Sequence, residues 1–310
     1  MSTRNKKKAD GPVGWTPPDF KDRVAVVAGA SRGSGRGIAL ALGETGATVY
    51  VTGRTARGGP EPHDGAPGTI EDTAEEVTRR GGRGIPVRVD YTQEAEVAAF
   101  FERVGREKGR LDILANGVWG SSEETMRIWK GNGGAFWELE SNNFKEAMIG
   151  GAYPALLASI HAARLMVRHG RGLIVHVTEP AGDPGENASS LFQIFHSLGH
   201  LSINRMAGAM SRGLAKRKVA MVALAPGFMR TERVLKNLEA MTEKQKQALR
   251  FDLSETTEYV GRAVASLAAD AKLLRKSGEL LYVGDLAKEY GFKDADGKLV
   301  ANFYRELKMI

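Results

Sequence analysis

Residues 23–35 read RVAVVAGASRGSG, and residues 36–54 continue as RGIALALGETGATVYVTGR. RVAVVAGA is a short apolar run with no alternation, the pattern of a parallel strand covered on both faces. Gly29, Gly33 and Gly35 follow it at the spacing G-x-x-x-G-x-G and open the helical stretch IALALGETGA. TVYVTGR then reads as a second strand, so strand, glycine-rich turn, helix and strand form a βαβ unit. Glycine lets the backbone turn sharply and approach a pyrophosphate closely. The helix N-terminus adds free N–H donors and partial positive charge. Between a strand and a helix, such glycines predict a dinucleotide site instead of a plain tight turn.

The same alternation continues along the chain. TIEDTAEEVTRRGG (69–82) is a helix opened by a capping box at Thr69, with Asp72 in the place of the usual Glu. GIPVRVD, LDILANG, GLIVHVTE, VAMVALAPG and ELLYVGD read as five more strands. Helices lie between them, among them a long one ending near His169 and another from about Phe195 to Lys216. Seven strands separated by helices predict an α/β fold, a single doubly wound Rossmann-type domain over residues 21–310. Residues 1–20 are basic, then rich in Pro and Gly, and read as a flexible N-terminal arm. Two irregular segments, 54–68 and the aromatic insertion 118–143, overhang the carboxyl ends of the strands, where such sheets bind ligands.

Composition narrows the function further. The chain has 310 residues with 44 Lys+Arg, 37 Asp+Glu and no Cys, which excludes disulfides, thiol catalysis and Cys-ligated metal. It has no apolar run of transmembrane length and no signal-peptide pattern, so a cytoplasmic protein without a membrane partner is expected. The tail through Phe20 sets Arg4, Lys6, Lys7 and Lys8 against Asp10 and Asp19, which leaves most of the net +7 on the body. No basic helix is interleaved with aromatics, so a small polyanionic cofactor is expected and nucleic acid is not. The second strand ends Thr52-Gly53-Arg54, with Arg32 in the glycine loop. An acidic residue there would favour the ribose hydroxyls of NAD; guanidinium groups suit a 2′-phosphate, so NADP(H) is expected.

These motifs resemble those of the short-chain dehydrogenase/reductase family, over about residues 21–285. Gly29, Ser31, Arg32, Gly33 and Gly35 lie in its T-G-x-x-x-G-x-G segment, with Ala28 in the Thr position. Asp90 in VRVDYT matches the Asp that contacts adenine in the family. Asn116 in LDILANG matches the first Asn of L-D-I-L-V-N-N-A-G, while Gly117, Val118 and Trp119 replace the rest of that motif. Pro226 and Gly227 match the segment whose backbone faces the nicotinamide. The resemblance implies a small-molecule substrate and a homodimer or homotetramer built on the long helices.

The family's chemistry rests on a Ser and a Tyr-x-x-x-Lys motif. No such motif precedes APG here. The family's spacing, with INRM at 203–206 in register, puts the Tyr position on His196 and the Lys position on His200. The Ser position falls on Glu179, with Thr178 before it, and the family's water-holding Asn falls on Gly151. The leading reading is an NADP(H)-dependent reductase of a carbonyl or enone on a small, fairly apolar molecule. His196 would donate the proton and His200 would replace the Lys, since imidazole serves as acid and base near neutrality. Two others stay open: a repurposed enzyme of dehydration, isomerisation or cyclisation, and a non-catalytic cofactor-binding protein. His-x-x-x-His with a carboxylate is also metal spacing, but the helix lies where nicotinamide docks, so no metal is expected. His63, His161 and His169 read as surface or helix-end residues and His176 as a satisfied core histidine. Trp119, Trp129, Phe136 and Trp137 read equally as a lid over an apolar substrate or as an oligomer contact.

Overall fold

A computed structural model describes residues 15–62, 65–119, 137, 141–180, 194–239, 241–248 and 250–310. The strands are β1 Val24–Ala28, β2 Thr48–Gly53, β3 Arg83–Arg88, β4 Ile113–Asn116, β5 Gly172–Val177, β6 Val219–Ala225 and β7 Leu280–Tyr282. They form one parallel sheet in the order β3-β2-β1-β4-β5-β6-β7, the doubly wound arrangement the alternation predicts. β7 is shorter than ELLYVGD suggests, because the chain turns into a helix at Val283.

Helices α1 Gly33–Glu44, α2 Ile70–Arg79 and α3 Glu94–Lys108 follow the first three strands. Helix α4 Ser141–Ala147 passes through a π-helical turn, Met148–Ala152, into α5 Tyr153–His169. Helices α6 Ile194–Ala215, α7 Glu232–Leu238, α8 Glu243–Ala248 and α9 Thr257–Ala269 precede β7. Helices α10 Val283–Tyr290 and α11 Phe303–Glu306 complete the chain. The capping box of α2 is present: Asp72 N–H donates to Thr69 Oγ1 at 3.1 Å, and Thr69 N–H donates to Asp72 Oδ2 at 3.2 Å.

The unbroken apolar strands follow from burial on both faces. Ala25, Val27, Val49, Val51, Ile113 and Val175 join one core with α1 and α9. Their neighbours Val24, Val26, Tyr50, Leu114 and Ile174 join a second core with α3 and α5. Alternate side chains point to opposite faces, and each face is covered. β1 pairs with β2 on one side and β4 on the other, with Ala28 level with both Thr52 and Asn116. The chain therefore reverses its winding direction between β1 and β4. The crevice of such sheets opens beyond this point.

Residues 15–20 differ from the expected free arm. Phe20 is buried in the core, its N–H donating to the Thr45 carbonyl at 2.8 Å. Trp15 packs against the same core beneath the Arg262 guanidinium, 5.0 Å from the ring centroid. The rest of the arm, His63, and most of the aromatic insertion, Trp129 and Phe136 among it, lie outside the described residues. Among the described residues, no helix is long and apolar enough to cross a membrane.

The last twenty residues fold back over the strand ends. Asn302 caps α11, its Oδ1 accepting from the N–H of Tyr304 at 3.1 Å, and its Nδ2 donates to Asp285 at 2.9 Å. Tyr259 donates its hydroxyl hydrogen to the Val300 carbonyl at 2.9 Å. Asp294, fully buried, accepts from the N–H of Thr256 at 2.8 Å.

Candidate active site

One continuous cleft of about 870 Å³ runs along the carboxyl ends of the strands. At its β1 end the glycine loop forms the floor. Gly29 has φ +75°, and a Cβ there would meet the Gly117 carbonyl oxygen at 2.9 Å. A Cβ on Gly35 would stand 2.2 Å from the Gly29 carbonyl oxygen. The tight loop thus depends on two missing side chains, and it turns the N–H of Gly33 toward the cleft. A carboxylate already occupies that donor: Glu232 Oε2, at the start of α7, accepts from Gly33 N–H at 2.8 Å. An anion held at this helix N-terminus is consistent with the partial positive charge that such a terminus presents.

Gly29, Ser31, Arg32, Gly33, Arg54, Asp90, Pro226 and Gly227 line the cleft. Gly35 and Asn116 do not. Gly35 acts through the close crossing just described. Asn116 is buried behind the wall, its Oδ1 accepting from the Val118 N–H at 3.1 Å. The two arginines differ as well. Arg32 donates to the Gly68 carbonyl at 3.1 Å and to Thr55 Oγ1 at 3.3 Å, tying the loop after β2 to the glycine loop. Arg54 is exposed and makes no hydrogen bond to a described residue.

At the far end stand Thr178, Glu179, His196 and His200. β5 carries the first two out of the sheet, and α6 presents both imidazoles one turn apart. His196 Nε2 lies 3.2 Å from Glu179 Oε2. His200 Nδ1 lies 3.0 Å from Thr178 Oγ1 and accepts from the N–H of Glu179 at 3.3 Å. A backbone N–H can only donate, so His200 Nδ1 carries a lone pair and its proton sits on Nε2. Burial pushes the pKa of His200 down to about 4, against the pull of Glu179. The ring is therefore uncharged at neutral pH.

Burial works to raise the Glu179 carboxyl, but its hydrogen bond to His196 and the two imidazoles outweigh that and hold it low. With 54% of this side chain exposed, water moderates the effect. The carboxyl is ionised at neutral pH. Glu179, His196 and His200 bring their ligand atoms within 4.8 Å of one another, close enough to grip a divalent cation. His176 is buried, lies 3.0 Å from Ser159 Oγ, and is pushed down to about 4 by burial, as a neutral core histidine should be.

Trp119, half-buried, lines the cleft beside the two imidazoles. Its ring stacks on His200 at 4.1 Å between centroids and meets His196 edge-on at 5.1 Å. Room for it comes from two glycines. A Cβ on Gly151 would lie 2.5 Å from the indole, and one on Gly199 2.7 Å from it. Trp119, just beyond β4, thus fills the space left at Gly151 and Gly199.

A family model for short chain dehydrogenases matches residues 23–243. The chain is a short-chain dehydrogenase/reductase. This dehydrogenase/reductase is 37% identical over 292 residues to the mouse dehydrogenase/reductase SDR family member 1, covering 92% of this chain and 87% of that one. It is 31% identical over 254 residues to a cis-4-hydroxycyclohexanecarboxylate dehydrogenase of Sinomonas cyclohexanicum, covering 81% and 91%. Solved structures share the fold. A short chain dehydrogenase from Mycobacterium thermoresistibile has a TM-score of 0.71 at 21% identity, covering 91% and 94%. YwfH, an NADPH dependent reductase involved in bacilysin biosynthesis, has a TM-score of 0.65 at 21% identity, covering 84% and 96%.

Proposed function

We propose that this oxidoreductase uses NADP(H) and reduces a carbonyl or enone of a small, fairly apolar molecule. The observation that carries the reading is the single cleft joining the glycine cradle to the His196–Glu179 pair. The cradle suits the cofactor: a Cβ at Gly29 or Gly35 would close it, and the Gly33 N–H already holds an anion, the Glu232 carboxylate. Arg54 is free to meet a 2′-phosphate beyond β2. Pro226 and Gly227 would face the nicotinamide. When bound, the reduced cofactor supplies a hydride to the carbonyl carbon.

This chain's residues manage the proton. In this reading a His196 imidazolium, paired with Glu179, gives its Nε2 proton to the substrate oxygen, is left as neutral imidazole, and recovers a proton from water. His200, neutral, offers Nε2–H as a donor while Thr178 and the Glu179 backbone fix its ring. Trp119, Ile149 and Met229 give the chemical end an apolar wall. An alicyclic carbonyl suits that wall, in keeping with the cyclohexane-ring substrate named for the Sinomonas relative.

The test is NADPH oxidation against aldehydes, ketones and enones, comparing the wild type with His196→Phe. Loss of the acid should lower kcat by about 10²–10⁴-fold with NADPH binding retained. Unchanged turnover removes the pair from the mechanism. A non-redox acid–base reaction is the second reading, favoured by the uncharged His200 where a cation would normally sit. NADPH binding without turnover of any carbonyl would favour it or the non-catalytic cofactor-binding reading. Ile160, Leu198 and Leu201, apolar yet exposed on α5 and α6, support assembly as a homodimer or homotetramer, which sizing would check.

A further inference from the structure

The Ser position of the family holds a carboxylate here, and this leaves a gap in the chemistry. A substrate carbonyl oxygen needs a hydrogen-bond donor to orient it, while an ionised carboxylate can only accept. Thr178, the neighbouring hydroxyl, is engaged with His200 Nδ1 at 3.0 Å. Beside the imidazoles of α6, a second donor to that oxygen would come from another element at this end of the cleft.

We infer that Tyr304, on the C-terminal helix α11, supplies the hydroxyl that binds and orients the substrate oxygen. Tyr304 lines the same cleft as Glu179, His196, His200 and Gly227, and its hydroxyl makes no hydrogen bond to a described residue. The rest of the side chain is fixed: only 8% of the residue is exposed, and the ring packs against Tyr282 and Phe303 at 5.9 and 5.7 Å. Its backbone is fixed too, through the Asn302 cap and the hydrogen bond of Asn302 to Asp285. A Cβ on Gly227 would meet Phe303 Cβ at 3.0 Å, so α11 is seated directly on the Pro226-Gly227 segment. A pinned ring whose hydroxyl has no protein partner, in a residue that lines the cleft, is pre-organised to donate to a ligand there.

The charged groups facing the phenol agree with a donor role. Burial, then Glu179, Glu255 and Tyr282, push the phenol above its ordinary range. It keeps its proton at every pH at which the enzyme works. Glu255 from the segment before α9 is itself pushed up to about 8 by burial, opposed in part by the Gly227 backbone, so at neutral pH it is mostly protonated. Tyr304 therefore holds the oxygen, while the His196–Glu179 pair handles the transferred proton.

The inference rests on the carbonyl-reducing reading, and the experiment separates the two. Tyr304→Phe keeps the ring and its packing and removes only the hydroxyl. With benzaldehyde as substrate, kcat/KM should fall about 10–100-fold, while the Kd for NADPH and the thermal midpoint stay unchanged. The second readout is the infrared carbonyl stretch of ¹³C=O-labelled benzaldehyde bound with NADP⁺, which needs no turnover. A phenol hydrogen bond lowers its frequency in the wild type, and the shift disappears in Tyr304→Phe. A wild type that shows this shift without reducing any carbonyl defeats the redox reading and leaves Tyr304 in place. Equal kcat/KM in wild type and variant, an equal carbonyl frequency in both, or no bound carbonyl at all overturns the assignment.

Discussion

Removing the Glu232 carboxylate should tighten NADPH binding. The carboxylate accepts from Gly33 N–H at 2.8 Å and approaches Arg36 at 4.0 Å, with 26% of its side chain exposed. A hydrogen bond to a charged group contributes about 1.5–3 kcal/mol. Partial exposure, and the water that solvates the displaced carboxylate, reduce the net cost of breaking it to about 1 kcal/mol. On the proposed reading, a bound cofactor breaks that contact to place a phosphate on the same N–H. Glu232→Ala removes the competitor and its repulsion of the phosphate, so Kd for NADPH should fall about 5–10-fold. Glu232→Gln, which keeps an acceptor but no charge, should fall between. Fluorescence titration with NADPH at low and moderate salt is the assay, and the gain should shrink as salt screens the repulsion. Binding that is unchanged or weaker in Glu232→Ala would mean that the carboxylate does not stand in the phosphate's place.

Three further outcomes are expected from the structure. Arg54→Ala should cost about 1.5–3 kcal/mol of NADPH affinity, about 10–150-fold, and leave NADH unchanged, read as the ratio of the two Kd values. Glu255 is protonated in the fold up to about pH 8 but ionises near 4.5 when unfolded, so its burial costs stability as pH rises through that window. Glu255→Gln should therefore stabilise the fold more at pH 8 than at pH 5, by up to about 3 kcal/mol at pH 7, read from thermal unfolding; an equal gain at both would contradict the shifted carboxyl. Gly151→Ala drives a methyl group into the indole of Trp119 and should destabilise by about 1–3 kcal/mol in urea unfolding, with Trp119→Leu relieving much of that cost.

The patterns legible in the sequence were those carried by neighbours along the chain. The apolar run of β1, the glycines opening α1 and the capping box of α2 each depend on a few consecutive residues. The same holds for His196 and His200, whose spacing alone puts them on one helix face. Trp119 was visible as a departure after β4, but not its destination, because no local pattern says that Gly151 and Gly199 leave the space it fills. Tyr304 was missed altogether. It lies beyond the last strand in a stretch with no motif, and only a run of tyrosines and phenylalanines near the end hinted at packing there.

By itself the sequence determined the doubly wound sheet, the glycine loop that opens α1 and the imidazole pair on one helix face, since backbone conformation and burial pattern are short-range properties. Tertiary structure alone decided the charge state of His200, the contact of Glu232 with the glycine loop and the place of Tyr304. Each depends on desolvation or on a partner distant in the chain, and both are set by how the elements pack.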